Sequence, residues 1–444
     1  MSGTLPLDPT PAGDLLSAAL RSTRDAEVFW AREEAVTAAC VNDREQAQRH
    51  EAEAINLRVI SAGRFGHATH LGSASRLDGP GLMRKASAAA AQGRPAPATF
   101  WKEREGGIDV ATFDEDVAAL TEADLRHLAR QATARLRDLL GDDVPVQVAV
   151  RRLVRRTLLM TRMSERHTQK TILQLQAHAG PDPQTGASFT ETWATCRMPD
   201  DPLAALGNIA WRARAGRTVT TAPEGRCRLV AGPRAVAVLL RWLSDALTGT
   251  AILEKRSPFD ASQLGRIRAV DERLTVIDNP LRPWAAPSGA YDAEGLPRVR
   301  RTLIDAGVVT NLLLDLSSAS QLELEPTASA TRTLDTPPLP APSFLELAPG
   351  SDGFEALLES AEGGVYVDTL LERNAPEADG SFTLEAASAF RIRGGRPHGL
   401  VEGLQLSANL FELFDRQVLN VGGDRLASPS ACCGSIAFGD VSTR

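Results

Sequence analysis

The residues able to do chemistry gather most densely between Ile252 and Leu316, where carboxylates sit beside turn-forming pairs. Asp278 precedes Asn279-Pro280, Asp292 and Glu294 flank the turn ending in Gly295, and Asp305 precedes Ala306-Gly307. Carboxylates held close together can share general acid and base roles. The same residue types at turns also cap nearby backbone N–H groups. The spacing alone leaves both readings open. The seven histidines are His50, His67, His70, His127, His167, His178 and His398, and none lies in an H-E-x-x-H or longer-spaced pattern. In a strand, His67 and His70 would face opposite ways and could not share a metal. Cys432 and Cys433 are adjacent, so a strand would separate them in the same way. There is no G-x-S-x-G elbow and no G-x-x-x-x-G-K-[ST] loop. No self-sufficient catalytic constellation is legible in the residues.

The elements that must position these groups are short apolar runs bounded by Gly, Pro, Asn and Asp, which predict strands with tight turns. Leu274–Ile277, Arg301–Ile304 and Val308–Leu314 are such runs, and the 303–312 segment predicts a hairpin cornered on Asp305-Ala306-Gly307. Upstream, Ala26–Glu33, Val36–Asn42 and Ala54–Ile60 read as three strands, as do Val144–Val150, Thr157–Met160 and Thr171–Ala177. A capping-box start at Thr121-Glu122-Ala123-Asp124 opens a helix striped with Leu125, Leu128, Ala132, Leu136 and Leu139. Pro233 opens a second, striped with Val236, Leu239, Leu240, Leu243 and Leu247 and ended by Gly249. Leu406–Phe414 reads as helical, and Pro326–Pro342 as a mobile loop. The expected fold is α+β. Residues 1–108 would form an N-terminal α+β domain with a Pro- and Gly-rich linker, 109–225 a middle α+β domain, and 226–444 a larger, strand-rich, mostly antiparallel and barrel-like C-terminal domain.

Composition narrows the classes. A length of 444 residues exceeds one ordinary core. The net charge of −7 argues against a nucleic-acid partner. No apolar run is long enough for a membrane span, and the first residues lack the pattern of a secretory signal. Five scattered cysteines suit a reducing compartment, so the expected location is cytoplasmic.

The motifs S-P-F-D-x-S-Q-L-G from Ser257, L-T-V-I-D-N-P-L from Leu274, Y-D-x-E-G-x-P from Tyr291 and T-L-I-D-A-G-V-V from Thr302 resemble the core of the TldD/PmbA family, the modulator-of-gyrase metallopeptidases. So do L-R-V-I-S-A-G-R-F-G at Leu57–Gly66, A-P-G at Ala348–Gly350 and G-V-Y-V at Gly364–Val367. The resemblance implies a family with two pairing branches. One carries HExxxH on a helix and binds zinc; the other, TldE or PmbA, lacks it and forms a heterodimer with the first. The corresponding helix here starts at Pro233, with the motif window at Arg241–Ala246: Arg241 stands for the first His, Trp242 for the Glu and Ala246 for the second His.

The resemblance therefore implies a non-catalytic, zinc-free subunit of a TldD/TldE-type metallopeptidase acting on unfolded peptides or peptide-like metabolites. It implies no metal bound by this chain, and zinc in the partner subunit. Candidate residues for lining a substrate cavity are Arg241, Asp260, Tyr291, Asp292 and Glu294, with the Pro326–Pro342 loop. The alternatives are a stand-alone homodimeric tailoring hydrolase using Asp260, Asp292 and Glu294 or a Cys432 or Cys433 thiolate, and a binding protein without hydrolytic activity.

Overall fold

The computed structural model describes all residues except 1–6, 42–43, 102–107, 184–185, 224, 267 and 373. The expectations of a loose N-terminus and of a linker over 93–108 fall partly on residues 1–6 and 102–107, outside the described residues.

The first layer is a six-stranded antiparallel sheet: β1 (Asp25–Val41), β2 (Arg44–Ser61), β3 (Arg64–Leu71), β4 (Val146–Thr161), β5 (Glu165–Ala179) and β6 (Phe189–Thr195), in the order β3-β2-β1-β4-β5-β6. Its strands come from both segments expected as separate α+β units, because β1 pairs with β4 from Glu27↔Thr161 to Val41↔Gln147. The two short strands expected within 26–42 are one, and so are those within 144–160. Their polar midpoints read as breaks in sequence but are ladder residues of long strands.

Successive strand side chains face opposite ways, so the sheet has two distinct faces. One is apolar. Val28, Leu57 and Leu158 pack under helices Thr10–Leu20 and Gly79–Ala89, while Val148, Val150 and Leu175 pack under helix Glu122–Leu140. That last helix begins with the expected capping box, Thr121 and Asp124 each accepting from the other's backbone N–H. The other face carries Glu27, Phe29, Arg58, Arg155, Thr157 and Lys170, placed side by side by the registers Glu27↔Arg58, Arg155↔Lys170 and Phe29↔Leu159.

The C-terminal half is strand-rich. Strands Gly225–Ala231, Ile436–Thr443, Gln405–Asn409, Ser381–Arg393 and Val365–Leu370 follow one another in that order, and the last pairs back to the first, closing a five-stranded barrel. A smaller sheet includes Val276–Asp278, Arg301–Asp305, Leu345–Leu347 and Ala431–Cys433. Helix Pro233–Asp245 shares one core with both: Leu229, Val367 and Leu406 from the barrel, and Val276, Leu303 and Leu347 from the small sheet. This double burial explains the broad apolar surface of the helix, including Trp242 edge-on to Phe382 at 5.5 Å. The 303–312 segment forms the expected hairpin, with Ala306 and Gly307 at φ 43° and 81°. Leu406–Phe414 is not one helix: Gln405–Asn409 is a barrel strand, and Asn409 then caps helix Leu410–Arg416.

The two halves are joined by buried ion pairs. Arg212 and Arg234 alternate with Glu191 and Asp368 at 2.6 to 3.1 Å, and the Tyr366 hydroxyl donates to Asp368 at 3.2 Å.

Candidate functional site

The charged face of the sheet is roofed by residues 286–298 and 331–343 of the C-terminal half. The roof approaches closely because Gly295, at φ 85°, carries no Cβ; one placed there would meet Leu159 Cδ2 at 2.8 Å. The 326–342 segment expected as a mobile loop forms part of this roof. It contains the ladder of Ala330–Thr331 with Leu339–Pro340, Ala330 N donates to Asp292 at 3.1 Å, and Asn56 on β2 donates to Leu334 O at 2.7 Å.

Roofing a charged face forces its ions to pair, since unpaired charges in the interior are costly. Arg58 donates to Glu294 at 2.9 Å and to Glu27 at 3.4 Å, and Arg332 donates to the same Glu27 at 2.8 Å. All four side chains are buried. Glu294 also accepts from Leu316 N at 2.8 Å. Burial still pushes its carboxyl up to about 7, against the pull of Arg58 and with the push of Asp315 and Asp292. His67, opposite Arg58 on β3, is held at about 4 by burial and by the Arg58 and Arg332 charges.

Beside this network a cavity of about 650 Å³ separates sheet from roof. Phe29, Arg155, Thr157 and Lys170 form its sheet side; Ser288, Tyr291, Asp292, Arg298 and Arg332 form its roof. Its rim includes the exposed residues Asp109, His167 and Gln169. The size is that of a small-molecule or peptide-segment pocket.

The sequence-derived candidates divide. Tyr291 and Asp292 line the cavity, with the Arg166 guanidinium 4.4 Å over the Tyr291 ring. Asp292 is also a turn cap, accepting from the N–H groups of Glu294 and Leu296 at 2.9 Å. Glu294 lies in the same turn but is committed to Arg58. Arg241 and Asp260 do not line this cavity. Arg241 is exposed and ion-paired with Glu372, and Asp260 is an exposed cap on the turn Ala261–Gln263. Cys432 packs with Ala285 and Phe344, whereas Cys433 donates to Pro233 O at 3.1 Å and burial pushes its thiol up to about 12. His67 and His70 turn to different partners, Asn56 and Ser73. Sequence reasoning missed Lys170, Arg298 and Arg332. Alternation along β1 and β2 marked a polar face, but nothing local shows which distant segment covers it.

Comparison with known proteins gives the chain its relatives. Residues 224–444 match the PmbA/TldA metallopeptidase C-terminal domain. A metalloprotease from Methanothermobacter thermautotrophicus is 32% identical over 203 residues, 46% of this chain and 44% of that protein. Metalloprotease PmbA from Escherichia coli O157:H7 is 25% identical over 199 residues, 45% of this chain and 41% of that protein. The matched segment thus spans less than half of each of these curated relatives. Two solved structures share the fold across 98% of this chain and 99% of theirs, each with a TM-score of 0.85: a modulator-of-gyrase protein from Thermotoga maritima, 18% identical, and TldE from Thermococcus kodakarensis, 17% identical. Residues 224–444 thus belong to the PmbA/TldD metallopeptidase family as its C-terminal domain, and the fold of the chain is shared nearly end to end with the two solved structures.

Proposed function

We propose that this chain is the zinc-free subunit of a two-subunit metallopeptidase, and that a TldD-like partner supplies the zinc while this chain helps hold a peptide or peptide-like substrate. The observation that carries the reading is the chemistry of helix Pro233–Asp245. A zinc site would need imidazole, thiolate or carboxylate donors at the HExxxH positions. Here Arg241 cannot lose its proton and is paired with Glu372, Trp242 is buried against Phe382, and Ala246 has no donor. Cys433 contacts Pro233, at the start of the helix, about 12 Å along the axis from residue 241 at 1.5 Å per residue. The residues present do not fit the metal.

A stand-alone hydrolase using the Cys433 thiolate has less support, because burial keeps that thiol protonated at neutral pH. The test is expression of this chain alone and with a TldD-like zinc subunit. The expected result is a stable complex whose peptidase activity exceeds that of the zinc subunit alone. A chain that stays apart from that subunit, with cleavage equally fast in its absence, contradicts the proposal.

A further inference from the structure

The cavity between sheet and roof is unusual in its charge. Lys170 is half-buried on β5 and, among the described residues, its ammonium donates only to two neutral acceptors, the carbonyls of Ala286 and Ser288. Arg298 is buried and likewise donates to carbonyls, those of Pro287 at 3.1 Å and Ala330 at 3.5 Å, while its Nε has no partner among the described residues. Arg332 donates to Glu27 at 2.8 Å, the carboxylate that also takes the longer of the two Arg58 ion pairs, and among the described residues its Nε and Nη1 have no partner. The Ser288 hydroxyl, fully buried in the same wall, also has no partner among the described residues. Asp292, a carboxylate of the cavity wall, spends its oxygens on three backbone N–H groups, and burial raises it toward its neutral form.

Burying a cation without an anion is costly, and proteins keep such groups where something else supplies the charge. Desolvation draws the Lys170 ammonium down to about 8, and it lowers Arg298 although the Asp292 and Asp278 carboxylates pull the other way. The cavity volume of about 650 Å³ leaves room for the missing charge to arrive on a molecule.

We propose that this cavity is a binding site of the chain itself for a small ligand bearing an oxyanion, a carboxylate or a phosphate, held by Lys170, Arg298, Arg332 and the Ser288 hydroxyl. The ligand's body lies against Phe29 and Tyr291, which line the same space. The proposal does not depend on pairing with a zinc subunit. It concerns residues of this chain alone and is tested on the isolated chain.

The test is calorimetric titration and thermal melting of the purified chain. The probes are inorganic phosphate, succinate, and N-acetyl-dialanine with a free or an amidated C-terminus, each at up to about 10 mM. Binding of the free acid but not the amide identifies a carboxylate ligand; binding of phosphate alone identifies a phosphate ligand; either supports the proposal. Two variants guard against an unfolded control. Arg298→Gln keeps a donor for the neighbouring carbonyls and weakens binding by about tenfold, the effect of one charge-assisted hydrogen bond. Thr157→Glu places a carboxylate on the cavity wall beside Arg155 and Lys170; it raises the melting temperature of the ligand-free chain and abolishes probe binding. No binding of any probe, or binding unchanged in both variants, overturns the proposal.

Discussion

Arg58 and Glu294 stand 236 residues apart in sequence and 2.9 Å apart in the fold, one on the second strand of the N-terminal sheet, the other in a turn of the C-terminal half. With Glu27 and Arg332 they form a buried chain of charges that fixes where the roof meets the sheet. Removing one partner leaves the others buried and uncompensated. Arg58→Met is therefore expected to cost about 3–5 kcal/mol, measured by urea unfolding. A cost below about 1 kcal/mol would mean the network is solvated, like a surface pair.

His67 gives that junction an acid sensitivity. Its pKa is lowered to about 4 in the folded chain, against 6.5 for the unfolded residue. Between those values the unfolded state binds the extra proton, so stability falls as pH drops from about 6.5 toward 4. In His67→Gln this part of the slope disappears. An NMR titration placing the imidazole near 6.5 in the folded protein would contradict the assignment.

Glu294 works in the opposite sense. Its folded pKa is raised to about 7, against 4.5 when unfolded, so the folded state holds the extra proton between those values. Its contribution is complete below 4.5 and is lost as pH rises toward 7. Glu294→Gln keeps an acceptor for Leu316 N and removes this loss. The variant should melt with a flatter dependence on pH between 5 and 7 than the parent. An unchanged dependence would place the Glu294 pKa back among ordinary carboxylates.

These effects mark the limit of what the sequence reveals. The helices Glu122–Leu140 and Pro233–Asp245 were legible because their caps and apolar stripes are local. So was the 303–312 hairpin, whose corner needs the Ala306-Gly307 pair. The strand-rich character of the C-terminal half followed from its many short runs. The length of β1 and β2 was not legible, since residues such as Arg44–Arg49 carry no apolar alternation and are held in the ladder by their partners. The site was half legible. Turn chemistry marked Tyr291, Asp292 and Glu294, but Lys170, Arg298 and Arg332 gain their meaning only when distant segments cover one another. Arg241, taken from the motif window of the resemblance, and Asp260, taken as a possible acid, stand outside the cavity.

Cys433 supplies a direct chemical check. Its buried, protonated thiol should resist alkylation by iodoacetamide at pH 8 in the native chain and react promptly in denaturant. Rapid native labelling of Cys433, with loss of activity in the assembled peptidase, would return the thiol to consideration as a nucleophile.

The central claim is that helix Pro233–Asp245 has exchanged ligands for an ion pair and core packing. Its most direct test is metal analysis of this chain purified alone and of its complex with a TldD-like subunit, after equilibration with zinc. The account predicts that zinc follows the TldD-like subunit and that this chain alone retains only traces. Stoichiometric zinc on the isolated chain, coordinated by its own side chains, would contradict it.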